Sequence, residues 1–321
     1  MIERHIAPGQ LESLENLLVD RSLSARVRLS LPTSFPISVY WVGWAQASIQ
    51  LLVFIASLSM LMQETRPLHI WLWAIPFGWS WFALLMVGHD ATHRSFSPWK
   101  SFDRCVAFLT LDCLLFSERR WRLGHQVLHH VRPNCAEDMM HLRGQSFLQE
   151  TVSLATMVVI YVRDDLHRLF TKPRARDWIA ALFRVSLLYA LFPLAILPAL
   201  FFLILSGNYL GLLPHALPDG RPDDDPIVRQ LRAAWDFFPN APFFAGLITG
   251  GLNAHATHHV FPNLPRGAHP VGAAILKDEA GHDYRSISSL KELFVLFRQR
   301  HGAAQVAPIE LDSGIEGLER R

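Results

Sequence analysis

The chain has 321 residues, half of them hydrophobic and only 18% charged, with a mean hydropathy of +0.19 and a formal net charge of +2. Soluble domains carry about 25% charged residues, so this composition points to a membrane-embedded protein. A net charge this small, with no basic block, excludes a nucleic-acid partner. Three cysteines (Cys105, Cys113, Cys135) without a CxxC pair exclude a disulfide framework.

The N-terminus, MIERHIAPGQLESLENLLVD, lacks the basic-then-apolar order of a cleaved signal peptide, and LESLENLL has the spacing of a short amphipathic helix. From Leu29 to Gln63 there is no formal charge. A span needs about 20 apolar residues, so a transmembrane helix is expected over roughly 39–62, with Pro32 and Pro36 ahead of it. Pro67–Gly88, rich in Trp and Phe, is a second span (roughly 68–88), and the short connector QETRP makes the two a hairpin. Residues 94–176 hold thirteen Lys and Arg residues, which places this region in the cytoplasm by the positive-inside rule. Its apolar stretches, VAFLTLDCLLF and TVSLATMVVIYV, are each about 12 residues, too short to span, and read as interfacial or buried helices. Trp178–Leu213 is apolar apart from Arg184. A helix of that length is about 54 Å long, too long for one crossing and slightly short for two. After the polar DGRPDDD come one modest apolar stretch, APFFAGLITGGL, and a C-terminus that reads as cytosolic. Without repeats or low-complexity tracts, residues 1–321 read as one membrane-embedded unit.

The histidines come in sets. HDATH gives His89 and His93, HQVLHH gives His125, His129 and His130, and HATHH gives His255, His258 and His259. On an α-helix, residues four apart share a face, so His89/His93, His125/His129 and His255/His259 are expected to pair. The adjacent third histidine of the second and third sets sits about 100° further round, so each HH pair can serve two neighbouring metal positions. Neutral imidazole suits iron, zinc, copper and nickel. A lone histidine is more often a polar terminus or a satisfied core residue, and His5, His69, His167, His269, His282 and His301 stay in that class, with only a surface role expected for His269 in RGAHP. Eight in three sets beside apolar segments are a different matter, because histidine near a bilayer needs a partner. A b-type haem site needs one axial histidine from each of two spans and does not explain the HH pairs. The zinc-protease motif HExxH is absent. A membrane metal transporter would place its ligands at mid-membrane depth, whereas these sets follow span ends.

These residues resemble the integral-membrane fatty acid desaturase and hydroxylase superfamily, whose three boxes take the forms HxxxH, HxxxHH and HxxHH in this order. GHDATHRSF is similar to its first box and HATHHVFPNLP to its third, and the likeness runs from about residue 40 to 300. The resemblance implies an O2-dependent non-haem centre of two iron ions (Fe2+/Fe3+) acting on a fatty acyl chain. The expected reaction is desaturation, with acetylenase, hydroxylase or decarboxylase chemistry as the alternative. The acyl carrier (lipid, coenzyme A or acyl carrier protein) stays open. The resemblance also implies an external donor such as ferredoxin with its reductase. In the family a histidine commonly follows the fourth span, which makes His215 a ninth ligand here, although Pro214 stands where the family often has Gln; the alternative is an interfacial histidine at a helix end. Asp90 either orients a box histidine or is a polar helix end. AEDMM resembles an acidic patch of the family, but its residues read as a solvated turn. The cysteines are expected to be packing residues.

For three boxes to meet at one metal pair they must share a membrane face, so the chain crosses an even number of times between His130 and His255. Trp178–Leu213 is then a hairpin (roughly 178–193 and 195–214) turning near Phe192–Pro198, with Arg184 snorkelling at the cytoplasmic end of the third span. The expected fold is an all-α integral membrane protein with four transmembrane helices and a cytosolic helical cap carrying the di-iron site. Both termini and the active site are expected in the cytoplasm of a bacterial inner membrane, among membrane lipids.

Overall fold

The computed structural model describes residues 23–293 apart from residues 33, 116, 132, 134–137, 139–146, 213–214, 216–224 and 240. The amphipathic stretch expected over residues 11–18, Cys135, His5 and His301 lie outside the described residues. What is described is mostly helical.

Helix α1 (Leu23–Ser30) precedes α2 (Tyr40–Gln63), which a 3-10 turn (Ile37–Val39) extends to 27 residues; α3 (Pro67–His93) is equally long. Pro36 and Pro67 sit where these helices begin, the place where a missing N–H costs nothing. Each helix is about 40 Å long against a hydrocarbon core of about 30 Å, so both can cross a membrane with turns to spare. On α3 the surplus turn carries His89 and His93. The helix stops at Arg94, whose φ of 61° ends the α-helical path. On α2 only 28% of the apolar window is buried, with Trp41, Leu52 and Met62 facing outward, as a lipid-facing helix requires.

The basic middle region folds as α4 (Lys100–Ala107), continued by a π-helical turn (Phe108–Asp112), then α5 (Glu118–Trp121), continued by a second π-helical stretch (Arg122–His129), then α6 (Phe147–Thr171). VAFLTLDCLLF therefore begins in α4 and runs on through the π-helical turn. TVSLATMVVIYV lies inside a longer α6 because the polar residues on both sides continue its helix. Next come α7 (Ala175–Leu191) and α8 (Ile196–Ser206), the latter running on as a π-helical turn (Gly207–Leu212). Between them the axis bends by 115°, at Phe192–Ala195, where the residue before Pro193 is forced out of the helical region. The break falls inside the interval expected for the turn. The described chain thus has two helices long and apolar enough to cross a membrane, or three if the bent pair counts as one span.

Arg184 departs from expectation. It does not snorkel: its guanidinium donates to the Asp165 carboxylate at 3.1 Å and to the Asp112 carbonyl at 2.6 Å. A charge in the middle of an apolar helix is tolerated here because the π-helical turn after α4 and helix α6 supply its partners.

The remainder is α9 (Pro226–Ala233), α10 (Pro242–Thr249), α11 (His255–Val260) and α12 (His269–Ala280). Two two-residue strands, β1 (Asp236–Phe237) and β2 (Ser286–Ile287), pair in parallel, Asp236 opposite Ser286 and Phe237 opposite Ile287. One core joins α3, α6 and α8 through Phe77, Trp81, Met157 and Leu203, and a second joins α1, α9 and α12 through Val27, Leu231 and Leu276. The histidines lie between the two.

Candidate metal centre

Four separate segments deliver the histidines: the end of α3, the π-helical stretch after α5, the chain beyond α8 at His215, and α11. They form two clusters. His89, His93, His125, His130 and His258 make the first, and His129, His215, His255 and His259 the second; within each, the ligand atoms lie within 4.8 Å of one another. The adjacent pairs divide, His130 and His258 going to the first cluster and His129 and His259 to the second. That is the division expected from their angular offset.

The second set needs a correction. His125 and His129, four apart, were expected to share a face, yet they belong to different clusters, and His125 joins His130. The cause is the winding. From Arg122 to His129 the helix is π-wound, and the His130 N–H bonds to the His125 carbonyl at 2.9 Å. An i→i+5 repeat puts residues five apart on one face, and the Nε2 atoms of His125 and His130 stand 3.0 Å apart.

In the second cluster the Nε2 atoms close a ring: His129 to His259 3.1 Å, His259 to His255 3.0 Å, His255 to His215 3.0 Å, and His215 to His129 3.2 Å. In the first, His89 Nε2 lies 2.8 Å from His125 Nε2. Two nitrogens bound to one ion at about 2.1 Å and at right angles stand about 3 Å apart, so these are the spacings of neighbouring ligands.

The tautomers point the same way. The Gln230 amide nitrogen donates to the His130 carbonyl at 2.5 Å, so its oxygen must be the atom that faces His259 Nδ1 at 2.6 Å. His259 therefore carries its proton on Nδ1. His129 Nδ1 likewise meets the buried Asp138 carboxylate at 2.8 Å. Both rings then present a bare Nε2, and these two lone pairs confront each other at 3.1 Å, an arrangement that calls for a cation between them. In the first cluster the buried Nε2 atoms of His93 and His258 have no hydrogen-bond partner among the described residues. Burial, reinforced by the other histidines, holds His125, His130, His255, His258 and His259 well below the usual histidine range. They stay neutral, as metal ligands must. The donor set therefore fits two cations, each held by imidazole nitrogen alone. The described cysteines take no part, Cys105 being exposed and Cys113 buried elsewhere.

The surroundings revise three readings. Asp90 does orient a box histidine, meeting His89 Nδ1 at 2.8 Å. Asp138, in AEDMM, is not on a solvated turn; it is 3% exposed and holds His129. His269, placed among surface histidines, is 7% exposed at the start of α12, and burial brings its pKa down to about 4. Four residues escaped the motif reading. Gln230 and Arg266 are far in sequence from what they touch. Gln46 left a signal, since it and Gln50 are four apart on an apolar helix and buried polar groups there need partners. Asp236 supports α11 by accepting from the Thr257 N–H at 3.1 Å and from the Thr257 and Tyr284 hydroxyls.

An apolar cavity of about 230 Å³ opens on the clusters, walled by Phe82, Met86, Leu154, Met157 and Leu203. Four histidines line it: His89 and His125 from the first cluster, His215 and His255 from the second. Trp121 covers His125, their rings stacked 4.7 Å apart. An apolar chain in this cavity lies against both clusters at once.

Apolar helices of membrane length, a buried double cluster of histidines and an apolar cavity that reaches both suit an apolar chain beside metal. The family model for fatty acid desaturase matches residues 65–291, more than half of the chain. The chain belongs to that family, and the protein is an oxidoreductase acting on fatty acyl chains. It is 26% identical over 259 residues to the sn-1 linoleoyl-lipid 6-desaturase of Synechocystis sp., covering 64% of this chain and 72% of that protein. It is 23% identical over 288 residues to the acyl-lipid (8-3)-desaturase of Physcomitrium patens, covering 73% and 58%. A match to the chloroplastic omega-6 fatty acid desaturase of Spinacia oleracea is shorter, 28% identical over 109 residues, covering 32% and 23%.

Proposed function

We propose that the protein is an O2-dependent di-iron desaturase that introduces a double bond into a lipid-linked acyl chain. The observation that carries the metal reading is the pair of bare Nε2 atoms of His129 and His259 facing each other 3.1 Å apart. In this reading His89, His93, His125, His130 and His258 hold one iron, and His129, His215, His255 and His259 the other. When bound, the two irons supply the activation of O2 and the oxidising power to take two hydrogens from neighbouring carbons. An all-nitrogen donor set suits that chemistry, since it offers no thiolate to be oxidised. The names of the relatives, two of which specify a lipid, support a lipid-linked substrate, and electrons come from an external ferredoxin-type donor with its reductase.

This chain's own residues do the rest. Phe82, Met86 and Leu203 bind the acyl chain by excluding water, and they align it along both clusters. Asp90, Asp138 and Gln230 each accept a proton-bearing Nδ1 and so aim a ring at its metal position. Purified protein is expected to hold about two irons per chain, eight or more imidazoles being too many for one ion. Elemental analysis decides it, and a single iron or a haem absorbance overturns the assignment. Incubation with lipid, O2 and a reducing system should remove two hydrogens from an acyl chain; gain of an oxygen atom instead would mark a hydroxylase.

We also read α2, α3, α7 and α8 as four spans, with the histidine face in the cytoplasm of a bacterial inner membrane. The thirteen Lys and Arg residues of 94–176 support that orientation. In a cysteine-free background, Lys172→Cys should label from the cytoplasm and Leu194→Cys only from the other side. Labelling of both from one side would make α7 and α8 a re-entrant pair.

A further inference from the structure

Arg266, just after the third box, is buried where a long cation must be fully partnered. Its Nε donates to Asp90 Oδ2 at 2.5 Å, one terminal nitrogen to Gln46 Oε1 at 2.9 Å, and the other to the Gly250 carbonyl at 2.6 Å. Gln46 in turn donates to the Phe243 carbonyl at 2.8 Å. One guanidinium therefore fastens α2 and the end of α3, 220 and 176 residues away from it in sequence, to the nearby link from α10 to α11.

The backbone around it is shaped to admit it. Gly251 has a φ of 97°, and a Cβ there would lie 2.6 Å from both Cζ and Nε of Arg266. Only glycine takes that conformation easily, and only glycine leaves room for the guanidinium.

We propose that Arg266 is a positioning residue for the first metal position alone. It acts through Asp90: one carboxylate oxygen takes the guanidinium and the other takes His89 Nδ1 at 2.8 Å. The carboxylate is thereby fixed, His89 keeps its proton on Nδ1, and its Nε2 is directed at His125 and the cluster. The second position has other holders, Asp138 on His129 and Gln230 on His259. The rings of the two positions are thus oriented by different Nδ1 acceptors, and the inference builds on the two-iron reading above.

The test is iron binding by purified, detergent-solubilised protein, followed by titration and elemental analysis without turnover. Asp90→Asn, which keeps the shape of the side chain, should weaken one of the two iron positions by about 10- to 100-fold and leave the other unchanged, a usual range for losing a ligand's partner. Gly251→Ala, which alters neither Arg266 nor Asp90 chemically but pushes the Arg266 guanidinium aside, should do the same. Arg266→Lys should fall between these and the parent protein. Asp138→Asn should weaken the opposite position. Unchanged affinity in Asp90→Asn and Gly251→Ala, or equal loss at both positions in Asp90→Asn protein that remains monodisperse, overturns the proposal. A parent protein that binds no iron overturns the metal reading itself, a different and recognisable result.

Discussion

Replacing His215 with alanine should abolish turnover and strip iron from one position while leaving the protein inserted and monodisperse. The second cluster has four histidines and the first has five, so loss of one leaves three and four respectively. His215 closes the Nε2 ring between His129 and His255, at 3.2 and 3.0 Å, and is 4% exposed. Its removal opens the ring on the side that faces the acyl cavity, where water would enter. Activity should fall by more than about 100-fold, beyond the usual effect of losing an outer hydrogen-bond partner. His93→Ala, which leaves four ligands in the larger cluster, should cost less. Neither the side chain of His69 nor that of His167 belongs to a cluster, and either serves as the control, whereas buried His269 would report on folding. Full iron content and turnover in His215→Ala would make eight histidines sufficient.

The second large effect is expected in the cavity. Gly207 and Gly211 lie on the π-helical turn after α8 and both line the acyl space. A Cβ on Gly207 would sit 2.9 Å from Leu154 Cδ2, and one on Gly211 3.3 Å from Phe82 Cε2. Gly211→Leu therefore fills the passage between Phe82 and the histidines. Losing the burial of about two to three methylenes of the acyl chain, at about 0.8 kcal/mol each, corresponds to about 15- to 60-fold in substrate affinity. Turnover of long acyl chains should drop accordingly, with iron content unchanged. Adding Phe82→Ala in the same chain should restore much of it by returning the space. Gas chromatography of the lipid acyl chains gives the readout. An unaltered product profile in Gly211→Leu would mean that the acyl chain lies elsewhere.

Much of this was legible in the sequence because it is written in local runs. Charge-free stretches marked α2 and α3, since the bilayer fixes how many apolar residues a span needs. The adjacent histidines announced two metal positions because neighbouring residues on a helix point about 100° apart. The turn near Phe192–Pro198 was expected from the even number of crossings that the three boxes require, while the cause of the break at Pro193 is local.

What escaped the sequence depended on winding and on distant partners. HQVLHH carries no mark that its helix is π-wound, and that winding, not the four-residue spacing, pairs His125 with His130. Arg184 looked like a snorkelling charge until Asp165 and Asp112 were seen to enclose it. In the sequence Asp138 reads within a solvated turn, and Arg266 carries no motif at all. Their burial is decided by which segments close over them, and for Arg266 those segments lie up to 220 residues away. The sequence by itself determined the donor chemistry and the apolar runs, because residue type and local spacing suffice for both. Only the tertiary structure decided which nitrogen faces which neighbour, because a ring's tautomer is set by the acceptor that folding brings to its other nitrogen.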